Sequence, residues 1–289
     1  MNPLGIHALV LAPGGSESDC ERAIAGAQRH GFEILEIPLR DPSRIDVPRT
    51  RRLLEHAGIR PVVSMGLGFS SDISSGDPEN VARGEARLNL ALSVARDLGA
   101  RLLTGVLYSA KGRYGAPPAE AGRWNCIKVL GRVAERAAAA GVTLGLEAVN
   151  RYESNLVNTA GQALALMDQI GAANLAVHLD SYHMNLEEGD PAAAIERCGA
   201  RLGYVHIGES HRGYLGAGTI DFGALFRALA KIDYQGPITF EAFSARSNDS
   251  ARSAELAVWR PIWTDGHDLA RHARRFMAAE WEAAAHRAA

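Results

Sequence analysis

The sequence predicts an α/β fold, a (β/α)8 TIM barrel formed by residues 1–289 as one domain. Short apolar runs alternate with helical segments along the whole chain and make eight strand–helix units. The runs are apolar throughout, as strands buried on both faces of a parallel sheet must be. The chain has 289 residues, and a barrel of this kind needs roughly 250. The alternative, an open doubly wound sheet, is disfavoured because no G-x-G-x-x-G follows the first strand.

Taken in order, Ile6–Leu11 reads as the first strand, and Glu21–His30 as a helix closed by Gly31. Strand Ile34–Leu39 precedes helix Val47–Ala57, which has Pro48 in its first turn and Gly58 as its stop. Strand Pro61–Leu67 leads through a loop rich in Gly and Ser to the long helix Pro78–Leu98, ended by Gly99. Strand Leu102–Tyr108 precedes helix Ala119–Ala140, ended by Gly141. The fifth strand is Val142–Val149. Helix Thr159–Ile170 has Thr159 or Asn158 as its cap and Gly171 as its stop. Leu175–Leu179 is a strand, Pro191–Cys198 a short helix and Gly203–Ile207 a strand. Asp221–Ile232 is a helix, Ile238–Phe240 the eighth strand and Asp268–Ala285 the closing helix.

Composition narrows the function. Hydrophobic residues make up 47% and charged residues 22%, which allows a large core in a globular chain. The formal net charge of −2 offers no basic field for nucleic acid or an anionic membrane. No run is long and apolar enough for a membrane span, and the N-terminus lacks the pattern of a signal peptide. The three cysteines form no C-x-x-C pair and read as reduced thiols of a cytoplasmic protein.

Four consecutive strands end in a side chain able to hold a metal: Glu147, Asp180, His206 and Glu241 on strands five to eight. In a barrel the C-terminal strand ends build the active site. Any one of these residues alone has a plainer reading, as a solvated loop carboxylate or a core histidine. That reading weakens when four strands end the same way. Three carboxylates and an imidazole form a hard donor set suited to Mn²⁺, Co²⁺ or Mg²⁺ rather than to structural zinc. With one divalent cation the set is close to −1, so it favours a neutral polyol over an anionic substrate. Glu153, His183 and Arg212 lie beside the ligands in sequence and are candidates to hold substrate oxygens, although loop residues of these types are often merely solvated. His7, on strand one, is a further candidate if it points inward. His178, two residues before Asp180, shares its face of the strand as a barrel histidine or an outer partner.

The segments L-E-A-V-N-R-Y-E, H-L-D-S-Y-H-M-N-L-E-E, Y-V-H-I-G-E-S-H-R and I-T-F-E-A-F resemble the signature segments of the D-tagatose 3-epimerase family, the ketose 3-epimerases of the xylose-isomerase-like barrels. Ala257–Arg260 (A-V-W-R) is similar to the family's C-terminal segment. The resemblance implies a divalent metal, Mn²⁺ first, on Glu147, Asp180, His206 and Glu241. It implies substrate contacts from Glu153, His183 and Arg212, and proton transfer at C3 of a free ketose by Glu147 and Glu241. It also implies a homodimer or homotetramer. Family members often carry an aromatic where His7 stands, cysteine near Ser64, tryptophan near Lys111 and proline in place of Ala242. These departures bear on which ketose is preferred, not on the reaction.

Rival readings within the same barrel are an aldose–ketose isomerase, a hydroxypyruvate isomerase and an inosose dehydratase. An endonuclease IV-like enzyme would need a basic surface and more histidine ligands. A sugar-binding barrel without catalysis is the remaining class. Phosphorylated sugars are disfavoured for want of a clear phosphate cradle, although Gly213–Gly218 is glycine-rich and follows strand seven. Trp259, Trp263 and Trp281 are expected in the core, with cover of a subunit contact as the alternative.

Overall fold

Eight apolar runs pair in parallel, each with the next, and the eighth pairs back with the first. The computed structural model describes residues 2–13, 17–245, 253–254 and 256–288. Its strands are β1 Leu4–His7, β2 Ile34–Pro38, β3 Arg60–Leu67, β4 Leu102–Ala110, β5 Thr143–Ala148, β6 Leu175–Asp180, β7 Leu202–Ile207 and β8 Ile238–Phe240. Closure rests on the pairs Leu4↔Ile238, Gly5↔Thr239 and Ile6↔Phe240. The helices between and after the strands are α1 Glu17–Arg29, α2 Val47–Ala57, α3 Pro78–Leu98, α4 Glu120–Ala139, α5 Ala160–Ile170, α6 Ser181–Glu187, α7 Pro191–Cys198, α8 Phe222–Lys231 and α9 Gly266–Ala288.

Local chemistry sets the helix ends. Asp46 accepts from the Arg49 N–H at 3.0 Å to start α2, and Gly58 ends it with φ 67°. Thr159 caps α5 in a reciprocal box with Gln162. Two details depart from the strand–helix pattern in the sequence. β1 stops at His7, because the His7 ring accepts the Leu9 N–H at 3.2 Å and turns the chain into a short 3-10 segment over Ala8–Val10. His7 is therefore a strand end. The seven-residue α6 has no counterpart in the sequence pattern; it starts because Asp180 at the end of β6 caps it through the Tyr182 N–H at 2.8 Å.

Apolar packing lies mainly between strands and helices, where Val63, Leu103 and Leu144 meet Leu88, Leu130 and Leu164 in one cluster. Trp263 belongs to that cluster and Trp281 packs against it, but Trp259 is exposed, contrary to expectation. Inside the barrel the floor is a separate small cluster of Ile34, Val62, Leu102 and Tyr204. Side chains alternate along a strand, so residues two apart share a face. Gly5, Gly145, His178, Tyr204 and Thr239 thus lie one layer below His7, Glu147, Asp180, His206 and Glu241. This lower layer is tight. A Cβ at Gly5 would stand 2.3 Å from Thr239 Oγ1, and one at Gly145 would stand 2.4 Å from Thr104 Oγ1. No described helix is long and apolar enough to cross a membrane.

Gly145→Ala should therefore displace the Thr104 hydroxyl and destabilise the barrel by about 1–3 kcal/mol, the usual cost of overpacking. Urea unfolding measures this; an unchanged midpoint would show that the layer adapts freely.

Candidate active site

The upper layer gathers the side chains that the four strand ends deliver. The His206 ring nitrogen Nδ1 lies 3.8 Å from Glu147 Oε1, 4.0 Å from Asp180 Oδ2 and 3.7 Å from Glu241 Oε2. That nitrogen is buried and has no hydrogen-bond partner among the described residues. A buried polar atom without a partner is costly. Here it points at three carboxylate oxygens, which is the arrangement a divalent cation would complete. Ligand atoms of Asp180, His206 and Glu241 all lie within 4.8 Å of one another, as do those of Glu147, Asp180 and His183.

Each side chain is fixed by backbone chemistry. Tyr108 donates from its hydroxyl to the Glu147 carbonyl at 2.7 Å. Asp180 uses Oδ1 on the α6 cap, which leaves Oδ2 for the cluster. Ser181 donates to the Gly208 carbonyl at 2.7 Å and ties the end of β6 to that of β7. His183 accepts the Asn150 backbone N–H on Nδ1 at 3.1 Å, so its Nε2 carries the proton and faces Asp180 Oδ2 at 3.7 Å. Arg212, at φ 61°, inserts its guanidinium between Asp180 at 2.9 Å and Glu241 at 2.7 Å. Its charge stacks 3.9 Å above the Tyr182 ring.

The electrostatics follow from burial and crowding. Burial pushes the Glu147 carboxyl up, His206 opposes this, and the Glu241 and Asp180 charges add to it; the net result is about 8. For His206, burial alone would disfavour the charged ring, but Glu36, Glu241 and Glu147 outweigh it and raise it to about 10. Burial would raise Asp180 as well, yet Arg212 and His183 hold it well below the usual carboxylate range.

The cluster opens into a cavity of about 430 Å³, lined also by His7, Ser64 and Lys111. His7 Nε2 lies 3.6 Å from Glu36 and 3.8 Å from Glu241, so His7 does point inward. A second cavity of about 350 Å³ shares Lys111, Arg212 and Phe243 with the first, and Glu153 lines it. The glycine-rich stretch after β7 and the residue just beyond it turn backbone N–H groups inward. Those at Gly213, Gly216 and Thr219 donate to His211, Glu209 and Ser210.

The family model of the xylose isomerase-like TIM barrel matches residues 24–279. An L-ribulose 3-epimerase from Methylomonas sp. (strain DH-1) is 46% identical over 273 residues, 94% of this chain and 96% of its own. A ketose 3-epimerase from Arthrobacter globiformis is 42% identical, covering 95% of each chain. The chain belongs to the ketose 3-epimerase family. The crystal structure of an N-terminal His-tagged D-allulose 3-epimerase from Methylomonas sp. in complex with D-allulose superposes with a TM-score of 0.94, at 45% identity, over 96% of this chain and 97% of that one. Membership in the ketose 3-epimerases makes the chain an enzyme of the isomerase class.

Against that family background, two residues stand out that the motif spacing did not single out as site residues. Glu36 is buried on β2 and accepts from His206 Nε2 at 2.5 Å. Its signal was a lone carboxylate amid the apolar run I-L-E-I-P. Lys111 pairs with Glu153 at 3.2 Å. Burial alone would raise the Glu153 carboxyl, but Lys111, then His183 and Arg212, bring it down to about 2. In Lys111→Met the largest opposing charge is lost and burial gains. The Glu153 midpoint should then move up toward or past the ordinary value of about 4.3. Carboxyl-labelled glutamate NMR reads this directly; a midpoint that stays put would remove Lys111 from the control of Glu153.

Proposed function

We propose that this barrel, residues 1–289, epimerises free ketoses at C3 with a divalent cation, Mn²⁺ first and Co²⁺ or Mg²⁺ next, held by Glu147, Asp180, His206 and Glu241. The observation that carries the reading is the unpartnered, buried Nδ1 of His206 facing three carboxylates at the ends of β5, β6 and β8. The relatives named for L-ribulose and the complex with D-allulose support the substrate class. The engagement of the glycine-rich N–H groups within their own loop supports unphosphorylated sugars.

When bound, the cation would supply Lewis acidity at the ketose oxygens O2 and O3 and offset the charge that develops as the C3 proton leaves. Glu147 and Glu241 come from β5 and from just after β8. One takes the C3 proton and the other returns a proton to the opposite face of the enediolate, which inverts C3. Which one acts first depends on the configuration of the substrate. A carboxylate has two oxygens, so each glutamate can serve the cation with one and the proton with the other. His183, with its proton on Nε2, donates to a substrate oxygen. Arg212 does the same while it offsets Asp180 and Glu241. Glu153 accepts from substrate hydroxyls, and His7, Ser64 and Lys111 give the far end of the cavity a polar wall. The same family resemblance supports a homodimer or homotetramer.

In deuterated water with Mn²⁺ and L-ribulose, D-fructose or D-tagatose, deuterium should appear at C3 together with the C3 epimer. Exchange at C1 with an aldose product would make the enzyme an aldose–ketose isomerase instead. Glu147→Gln and Glu241→Gln should each lower kcat by about 10³-fold or more, on the scale of losing a general acid–base. A chelator should abolish turnover and Mn²⁺ should restore it.

Cation binding should also release protons. Near neutral pH the cation-free cluster holds at least one, because Glu147 is raised to about 8 and His206 to about 10. Both must give up protons to act as ligands, so affinity should rise between about pH 6 and pH 8. Calorimetry in buffers of different ionisation heat measures the release, and identical heats in all buffers would contradict it.

A further inference from the structure

We propose that Glu36 is the positioning residue of the metal centre: its carboxylate fixes the His206 ring so that Nδ1 presents a lone pair to the cation. This rests on the metal reading of the site given above. Glu36 stands outside the four ligands and lies on β2, across the barrel from β6. It is buried, with 1% of its surface exposed.

The argument is one of donors and acceptors. An ionised carboxylate can only accept. Glu36 Oε2 lies 2.5 Å from His206 Nε2, so that nitrogen must carry a proton and donate it. The remaining nitrogen, Nδ1, is the one that faces Glu147, Asp180 and Glu241 without a partner. A carboxylate behind a ligating histidine also makes the ring a stronger donor to the metal.

Glu36 is itself held on several sides. The Tyr204 hydroxyl donates to the same oxygen at 2.8 Å, and that hydroxyl is 2.8 Å from Thr239 Oγ1. Room for Thr239 exists only because residue 5 is a glycine. The pairing His7↔Glu36 places His7 beside the other oxygen, at 3.6 Å. Glu36 could in principle be a ligand of a second cation with His7 and Glu241, whose atoms lie within 4.8 Å. The His7 ring argues otherwise. It accepts the Leu9 N–H on Nδ1, so its Nε2 bears a proton and can only donate toward the two carboxylates.

The test is Mn²⁺ binding to the chelator-stripped full-length protein, read by the electron paramagnetic resonance of free Mn²⁺. Glu36→Gln keeps the shape and an acceptor but loses the charge, and Glu36→Leu removes both. Affinity should fall about 10-fold in the first and up to about 100-fold in the second. In the Mg²⁺-loaded wild type, NMR of ¹⁵N-labelled histidine should show the His206 Nε2 proton shifted far downfield by its short bond to Glu36, with that downfield shift lost in Glu36→Leu. Leu130→Ala loosens the cluster between strands and helices without touching the ladder below His206 and should keep Mn²⁺ affinity within about twofold, which separates positioning from general loosening. If Glu36→Leu fails to fold, the near-isosteric Glu36→Gln decides alone. Wild-type affinity in a folded Glu36→Gln, with the Nε2 proton unchanged in any folded Glu36→Leu, would overturn the proposal. A wild type that binds no Mn²⁺ would instead overturn the metal reading beneath it.

Discussion

The interaction on which the rest of the structure depends is repulsion among three carboxylates at one buried point. Glu147, Asp180 and Glu241 converge on His206 Nδ1 within 4.0 Å. Left alone, such a group would push its own pKa values up and loosen the strand ends. The surrounding architecture supplies countercharge in graded fashion. Arg212 sits between Asp180 and Glu241, and the caps and ties of the upper layer hold the side chains where their repulsion is greatest. Glu147 lies farthest from this relief and is the carboxylate raised to about 8. A divalent cation at the centre would reverse that direction, because the largest local charge dictates the local pKa order.

The lower layer explains why a barrel can carry this load. The interior of such a barrel is a stack of side chains rather than a pore. Here the stack is polar just beneath the site and apolar only at the floor. Thr104 bonds His178 at 2.9 Å, and His178 packs its edge on His206 with ring centres 4.2 Å apart. On the other side, Thr239, Tyr204 and Glu36 form a ladder up to the same ring. The glycines at positions 5 and 145 are what let the two threonines enter. Sterics one layer down therefore bear on the angle of an imidazole at the top.

How much of this was legible in the sequence follows from what a periodic pattern can carry. The eight strands were, because both-face burial leaves continuous apolar runs, and helices α2, α3 and α7 match their expected bounds. The four strand-end donors were legible because the fold tells the reader where strand ends go. Glu36 was not, since one carboxylate within I-L-E-I-P has no sequence neighbour to explain it; its partner is 170 positions away. Helix α6 escaped because the signal for strand end and the signal for helix cap are the same residue, Asp180. The sequence places His7 within a strand because the apolar run continues through Ala8–Val10. Only its own ring, by accepting the Leu9 N–H, makes it the end.

His183 and His206 show how one side-chain type takes two roles through its second nitrogen. His183 receives a backbone N–H from Asn150 on Nδ1, which forces the proton onto Nε2 and makes that nitrogen a donor. His206 meets a carboxylate at Nε2, which keeps a proton there and makes Nδ1 the nitrogen whose lone pair is offered once a cation displaces its proton. Both rings are buried beside the same Asp180 oxygen, at 3.7 and 4.0 Å, so proximity does not distinguish them. The partner behind each ring does. A donor behind His183 makes it a group that can hold an oxygen of a neutral sugar, and an acceptor behind His206 makes it a group that can hold a cation. Exchanging those partners would exchange the roles without moving either ring, and for that reason the chemistry of this site is written as much on β2 and on the turn after β5 as on the strand ends that face the cavity.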